Sequence, residues 1–142
     1  MGLDVSHGAW RGAYSAFMGW REKIAELAGF PPLMLMEGFY DNNRFLFSEN
    51  DFGIAKQVKE YLPISWGCLK TDPLIELLHH SDCDGEIEWY KCGVIADRLE
   101  EILELMPDED TGGHIGNWKD KTQTFIDGLI KAYVSKEDLH FG

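Results

Sequence analysis

Three stretches of the chain place apolar side chains three and four residues apart, the spacing that puts them on one side of an α-helix. The first covers about residues 12–28 and ends at Gly29, before two prolines. The others cover about residues 87–106, with glutamates on the opposite side, and about residues 118–134. Because three such helices must bury their apolar sides together, we expect a mainly α-helical protein.

A short fourth helix is expected from residue 74, because Asp72 suits the N-cap and Pro73 the first helical position. Short strands or extended pieces are expected at residues 33–36, 61–66 and 139–141, and a loop at residues 37–51. The chain of 142 residues, 44% of them apolar, has the material for one core. The predicted fold class is therefore mainly α (α+β), with about four helices and a few short strands in a single domain, residues 1–142.

The net charge of -12 makes nucleic acids and anionic membranes poor partners, because both are negatively charged. No stretch is apolar for long enough to span a membrane, and the N-terminus lacks the pattern of a secretion signal. Cys68, Cys83 and Cys92 are odd in number and lack CxxC spacing, which favours reduced thiols. We therefore expect a cytoplasmic protein; a homo-oligomer is compatible with the sequence.

The stretch HHSDCDGEIEWYKC, residues 79–92, lies between two predicted helices and invites comparison with a calcium-binding EF-hand loop. Asp82, Asp84 and Gly85 fit that pattern, whereas His80 and Lys91 occupy the two end positions that need acidic oxygens. One alternative is a helix-joining loop, in which Asp84 caps the next helix and Gly85 makes the turn. The other is the edge of a ligand site. We expect no cofactor, with a divalent cation at Asp82 and Asp84 as the weaker alternative.

The stretch LDVSHGAWRGAYSAF, residues 3–17, is dense in aromatic and hydrogen-bonding side chains at the start of the first predicted helix. Free backbone N–H groups at such a position favour anions, so the stretch is typical of a ligand platform. The alternative is structural: Asp4 or Ser6 caps the helix, while Trp10 and Tyr14 fill the core.

The stretch TGGHIGNWKDKTQTF, residues 111–125, has glycines that allow close approach of a ligand, and Asn117 is expected to cap the last long helix. It matches neither the P-loop nor the dinucleotide fingerprint, and a surface loop is the alternative. A metal site of three histidines, His7, His80 and His114, lacks support from any HExxH motif. No GxSxG motif selects a nucleophile.

The blocks LDVSHGAWRGAYSAF and HSDCDGEI, followed by ADRLEEIL, a GHI segment and an F-I-x-G helix, resemble a group of small proteins from bacteriophages, prophages and bacteria. The resemblance covers most of the chain except residues 31–72. That group has no settled activity. The resemblance implies a phage accessory protein acting in the bacterial cytoplasm, where such proteins often counter host defence by binding proteins or sequestering nucleotide-derived signals.

We expect a non-enzymatic protein that binds a small anionic molecule, such as a nucleotide-derived immune signal. The expected ligand-binding residues are Ser6, His7, Trp10, Arg11, Tyr14, His80, Asp82, Asp84, His114 and Trp118. Aromatic side chains would stack on the ligand, and Arg11 and the histidines would bind phosphate or ribose. The first alternative is a histidine- or metal-dependent enzyme acting on a small phosphorylated or nucleotide substrate. The second is an acidic protein-interaction module that inhibits a host factor.

Overall fold

The computed structural model describes residues 2–36, 64–69, 71–81, 84–106 and 117–142. These ranges form a mainly helical α+β fold, as predicted. Its strands and α-helices are, in chain order, β1 (Gly2–Val5), β2 (Trp10–Ala13), α1 (Tyr14–Leu27), α2 (Leu74–Leu78), β3 (Glu86–Ile87), α3 (Trp89–Leu103), α4 (Trp118–Ser135) and β4 (Leu139–His140). None of the described helices is both long enough and apolar enough to cross a membrane.

The described strands form two antiparallel pairs, one between neighbouring segments and one between distant parts of the chain. β1 pairs with β2 through a short 3₁₀ turn, Ser6–Gly8, and β3 pairs with β4. An isolated antiparallel bridge between Val5 and Phe141 then connects β1 to the residue that follows β4. The N-terminal hairpin and the C-terminal segment therefore lie side by side.

The core lies between α1, the antiparallel pair α3 and α4, and the inner side of the N-terminal hairpin. Trp20 and Phe125 pack with ring centroids 4.8 Å apart, and Phe17 and Trp10 extend the same cluster toward the hairpin. The indole N–H of Trp20 donates to the Thr122 hydroxyl at 2.8 Å, which satisfies both buried groups. Aromatic packing and this hydrogen bond together fix α1 on α4.

The long helices and two caps agree with the sequence predictions. The carboxylate of Asp72 accepts from the Leu74 N–H at 3.0 Å at the start of α2. The side chain of Asn117 accepts from the N–H groups of Lys119 and Asp120 at the start of α4. The predicted extended tail is confirmed as β4 and the Phe141 bridge. The turn expected at Gly85 is also present, with φ +93°.

Three local predictions were wrong, namely two helix caps and the extended piece at residues 33–36. Helix α1 begins at Tyr14 after an Ala13 N-cap without a side-chain bond, because residues 10–13 form a strand, so neither Asp4 nor Ser6 caps it. Asp84 does not cap α3, whose first N–H, that of Trp89, donates to Asp138 at 2.9 Å.

The segment at residues 33–36 is a 3₁₀ turn, Leu33–Leu35, followed by a single parallel bridge from Met36 to Ile64. The loop expected at residues 37–51 and the start of the extended piece at residues 61–66 lie outside the described residues.

The contact between Gly128 of α4 and Ala9 leaves no room for a side chain. A Cβ at Gly128 would lie 2.4 Å from the Ala9 Cβ and 2.6 Å from its Cα. We expect Gly128→Ala to destabilise the protein by about 1–3 kcal/mol, because backbone must move, even though alanine favours helix. The control is Gly19→Ala in α1. Its Cβ would lie 3.5 Å from the Trp118 side chain, an ordinary van der Waals contact. This substitution should therefore stabilise the protein by about 0.5–1 kcal/mol, because alanine favours helix over glycine. Urea unfolding gives the free energy of unfolding of both variants, and equal changes in the two would contradict the packing argument.

Burial makes the Cys92 thiol unreactive. The side chain is fully buried on α3, and desolvation, with Asp138 and Glu88 nearby, raises its pKa to about 11. At pH 8 roughly one molecule in a thousand would then carry the thiolate, against roughly one in ten at a pKa of 9. We expect iodoacetamide to alkylate Cys92 at least ~100-fold more slowly in the folded protein than in urea, measured by peptide mass spectrometry. Equal rates in the two states would refute this assignment.

Candidate functional site

The two characteristic sequence blocks meet at the C-terminal strand. The backbone N–H of His140 donates to the Ser6 hydroxyl oxygen at 2.9 Å, and the Phe141 N–H donates to the Gly85 carbonyl at 2.9 Å. The imidazole of His140 also lies 3.3 Å from the Glu86 carboxylate. Residues from LDVSHG and from HSDCDGEI, about 80 positions apart, thus line one edge of the molecule.

His80 is held firmly at this edge. Its ring stacks on Phe141 with centroids 4.0 Å apart. Its Nδ1 lies 2.8 Å from the Ser81 carbonyl oxygen and its Nε2 lies 3.0 Å from that of Glu86. Both partners are backbone carbonyl oxygens, which can accept a hydrogen bond from the ring. Both ring nitrogens are directed at the chain itself, which gives His80 a structural role in closing the loop.

Arg21 positions this loop from the core side. Its guanidinium is 98% buried and its Nη1 donates to the carbonyl of His80 at 2.6 Å. The same nitrogen reaches the carbonyls of Leu78 at 3.3 Å and Leu77 at 3.5 Å, at the end of α2. The guanidinium also lies over the Phe17 ring at 4.7 Å. A side chain from α1 therefore provides the C-terminal cap of α2.

Ser6, His7 and Glu137 form a continuous hydrogen-bonded chain. The Ser6 Oγ lies 3.0 Å from His7 Nδ1, and His7 Nε2 lies 3.2 Å from the Glu137 carboxylate. The His7 side chain is 18% exposed and that of Glu137 is 66% exposed. A hydroxyl, an imidazole and a carboxylate in this order are the groups of a nucleophile, its base and an orienting acid.

His7 has an uncommon backbone conformation, which places its ring in this chain. Its φ of 61° and ψ of 20° are left-handed, and Gly8 follows with φ 70°. For a residue other than glycine this conformation costs about 1–2 kcal/mol. The cost is offset by the β1–β2 pairing and by the two ring contacts, so the histidine is fixed where Ser6 and Glu137 can reach it.

The other expected site residues are divided between core and surface. Trp10 is 98% buried, and its indole N–H has no hydrogen-bond partner among the described residues. Tyr14 and Trp118 are partly buried against the core. Arg11 is exposed on β2 opposite Asp4, and Asp84 is exposed beside the turn. Of the expected set, the structure brings Ser6, His7 and His80 together around β4.

Two expected site residues, Asp82 and His114, lie outside the described residues, as does Cys83. Among the residues that are described, no three His, Cys, Asp or Glu side chains lie close enough to hold a metal ion. A small anionic ligand at this edge stays a prediction. The nearest described carboxylates, those of Glu86 and Glu137, favour a neutral or cationic molecule there.

Glu137 and His140 are site residues that the sequence did not indicate. Both follow α4, which ends at Lys136 in a left-handed conformation with φ 56°. A charged tail after a helix is usually solvated surface, and its pairing with residues 6 and 7 is a long-range contact. The sequence feature that could have pointed to Glu137 and His140 is the extended segment predicted at residues 139–141, because a strand there requires a partner.

A second feature is an exposed apolar surface on α3 and α4, which we call the α3–α4 face. It consists of Tyr90, Val94, Ile130, Tyr133 and Val134, with exposures of 58%, 54%, 42%, 47% and 73%. A groove of about 270 Å³ runs between the two helices, floored by Gly93 and Ala96 and bordered by Asp97. Large apolar side chains clustered in this way are typical of a binding surface.

Comparison of the chain with known protein families, with curated proteins and with solved structures found no match.

Removal of the cap that Arg21 provides should strongly destabilise the protein. We expect Arg21→Met to cost about 2–4 kcal/mol in urea unfolding, because the Leu78 and His80 carbonyls lose a buried charged donor. The matched control is Arg98→Met, which breaks a partly exposed pair with Asp72 and Glu101 and should cost about 1 kcal/mol or less. A cost below ~1 kcal/mol for Arg21→Met would mean that relief of guanidinium desolvation balances the lost cap.

Proposed function

We propose that the protein is an acidic interaction module that binds a partner protein through the α3–α4 face. The observation that carries this proposal is the exposure of five large apolar side chains on two adjacent helices. Scattered apolar residues are normal on a surface, but contiguous ones around a groove favour a partner.

The shape of the face suits an elongated apolar ridge. Tyr90, Gly93, Val94 and Asp97 follow one another at helical spacing along α3, so they form one stripe. The Tyr133 ring lies over Gly93, where a Cβ would come within 3.1 Å of it. Gly93 thus lets Tyr133 pack closely on α3, and the groove lined by these residues can accept apolar side chains of a partner, as grooves accept amphipathic helices.

The charges around the groove select the kind of partner. Asp97 borders it, and helical spacing extends the stripe on α4 to Asp127. The whole chain carries a net charge of -12. The occupant we propose is therefore an amphipathic helix whose apolar side is flanked by lysine or arginine, since opposite charges steer association and set its register.

This proposal is tested with a synthetic 14-residue helix of leucine and lysine and a matched helix of leucine and glutamate. We expect the lysine peptide to bind, with an affinity that falls as salt rises, and to shift the NMR signals of Val94 and Ile130. Val94→Lys should weaken binding by about tenfold or more, because it removes apolar contact and adds repulsion. Isothermal titration calorimetry measures the affinities.

The control variant is Leu105→Lys, which makes the same charge change at an apolar side chain that is 57% exposed and lies beyond the end of α3. It should change affinity by less than about threefold. Equal weakening by both substitutions would mean that only net charge matters and would refute a defined face. Equal binding of both peptides, or self-association through the face in light scattering, would also contradict the proposed partner.

A further inference from the structure

We propose that Ser6 is a nucleophile activated by His7, and that the edge around β4 transfers or hydrolyses acyl groups from small esters. The proposal is independent of the α3–α4 face. It rests on the hydrogen-bonded chain from the Ser6 hydroxyl through His7 to Glu137, with distances of 3.0 and 3.2 Å.

The directions of the hydrogen bonds fit a nucleophile. The Ser6 hydroxyl has one proton and two lone pairs. If the proton points to His7 Nδ1 and one lone pair accepts the His140 N–H at 2.9 Å, the second lone pair remains to attack a carbonyl carbon. The His140 N–H also stabilises the negative charge that builds on Oγ as its proton leaves.

Glu137 fixes the tautomer that this role requires. With the proton of the neutral ring on Nε2 and directed at the carboxylate, Nδ1 is the acceptor that faces Ser6. Glu137 is mostly exposed, so it acts as a positioning residue of modest strength. With this left-handed backbone, the ring of His7 lies beside the hydroxyl of its own neighbour in sequence.

The reaction can be written with every atom accounted for. Ser6 Oγ forms a bond to the ester carbonyl carbon while its proton passes to His7 Nδ1. The tetrahedral intermediate then collapses, the C–O bond to the leaving alcohol breaks, and the proton on Nδ1 goes to the alcohol. Water, deprotonated by Nδ1, releases the carboxylic acid and restores the Ser6 hydroxyl.

The surroundings indicate the substrate class. The described carboxylates of Glu86 and Glu137 flank the edge, so phosphate esters are repelled and a neutral or positively charged carboxylic ester is favoured. Ser6 and His7 are both intermediate in exposure, which leaves the hydroxyl accessible from solvent to a small acyl group.

The first test is covalent labelling of the intact protein with an alkyl fluorophosphonate, followed by peptide mass spectrometry. We expect Ser6 to be labelled at least ~100-fold faster than Ser15 and Ser135, exposed serines on α1 and α4 that serve as internal controls. Labelling of Ser6 no faster than these two would overturn the proposal.

Variants of the base and of the positioning residue complete the test. His7→Asn removes the imidazole and keeps a residue that tolerates left-handed backbone, so labelling of Ser6 should fall ~100-fold or more. Glu137→Gln should slow labelling about three- to tenfold without moving the melting temperature, because its side chain is largely exposed. Unchanged labelling in folded His7→Asn protein would refute the dyad. Should His7→Asn fail to fold, the effect of Glu137→Gln decides.

Ester turnover supplies the activity readout. With p-nitrophenyl acetate in excess, we expect a burst of nitrophenol close to one equivalent, then slower release, and an acetyl group on Ser6 by mass spectrometry. Hydrolysis without acetylation of Ser6 would assign the activity to surface imidazoles and contradict a serine nucleophile.

Discussion

The buried side chain of Arg21 makes the interaction on which the edge around β4 depends. A charge inside a core is expensive unless its donors are used, and here one nitrogen reaches three carbonyl oxygens where α2 ends. A five-residue helix such as α2 has little stability of its own. By capping it from α1, Arg21 fixes the direction in which the chain leaves at His80. β3, which comes next among the described elements, pairs with β4.

The C-terminal strand completes the edge that Arg21 prepares. β4 has two residues, so its pairing with β3 contributes little by itself. Its position is reinforced by the Val5–Phe141 bridge, by the stacking of Phe141 on His80 and by the bond from His140 to Ser6. Residues near both ends of the chain therefore contact one another at this edge.

The sequence predicted those parts of the structure that local patterns determine. The three long helices follow from the spacing of apolar residues, and the caps at Asp72 and Asn117 follow from side chains next to the backbone they bind. The hairpin before α1 was missed because its turn depends on the left-handed conformation of His7, which no sequence pattern indicated, and the bridge from Val5 to Phe141 is a contact between distant parts of the sequence. Composition pointed to Ser6, His7 and His80 as residues of interest, and their role in binding stays a prediction, whereas the contact of Glu137 with His7 required the three-dimensional fold.

The end of α4 links the two surfaces. Val134 belongs to the α3–α4 face, and Glu137, the partner of His7, lies three residues later. Between them Lys136 turns left-handed, so the chain leaves the helix toward the hairpin instead of extending the helical stripe. Because Val134 lies in the last turn of α4 and Glu137 directly follows its C-cap, a partner that moves this turn would also move the carboxylate that contacts His7. Binding at the face and the state of the Ser6–His7 pair therefore share one physical element, even though each is argued from different contacts.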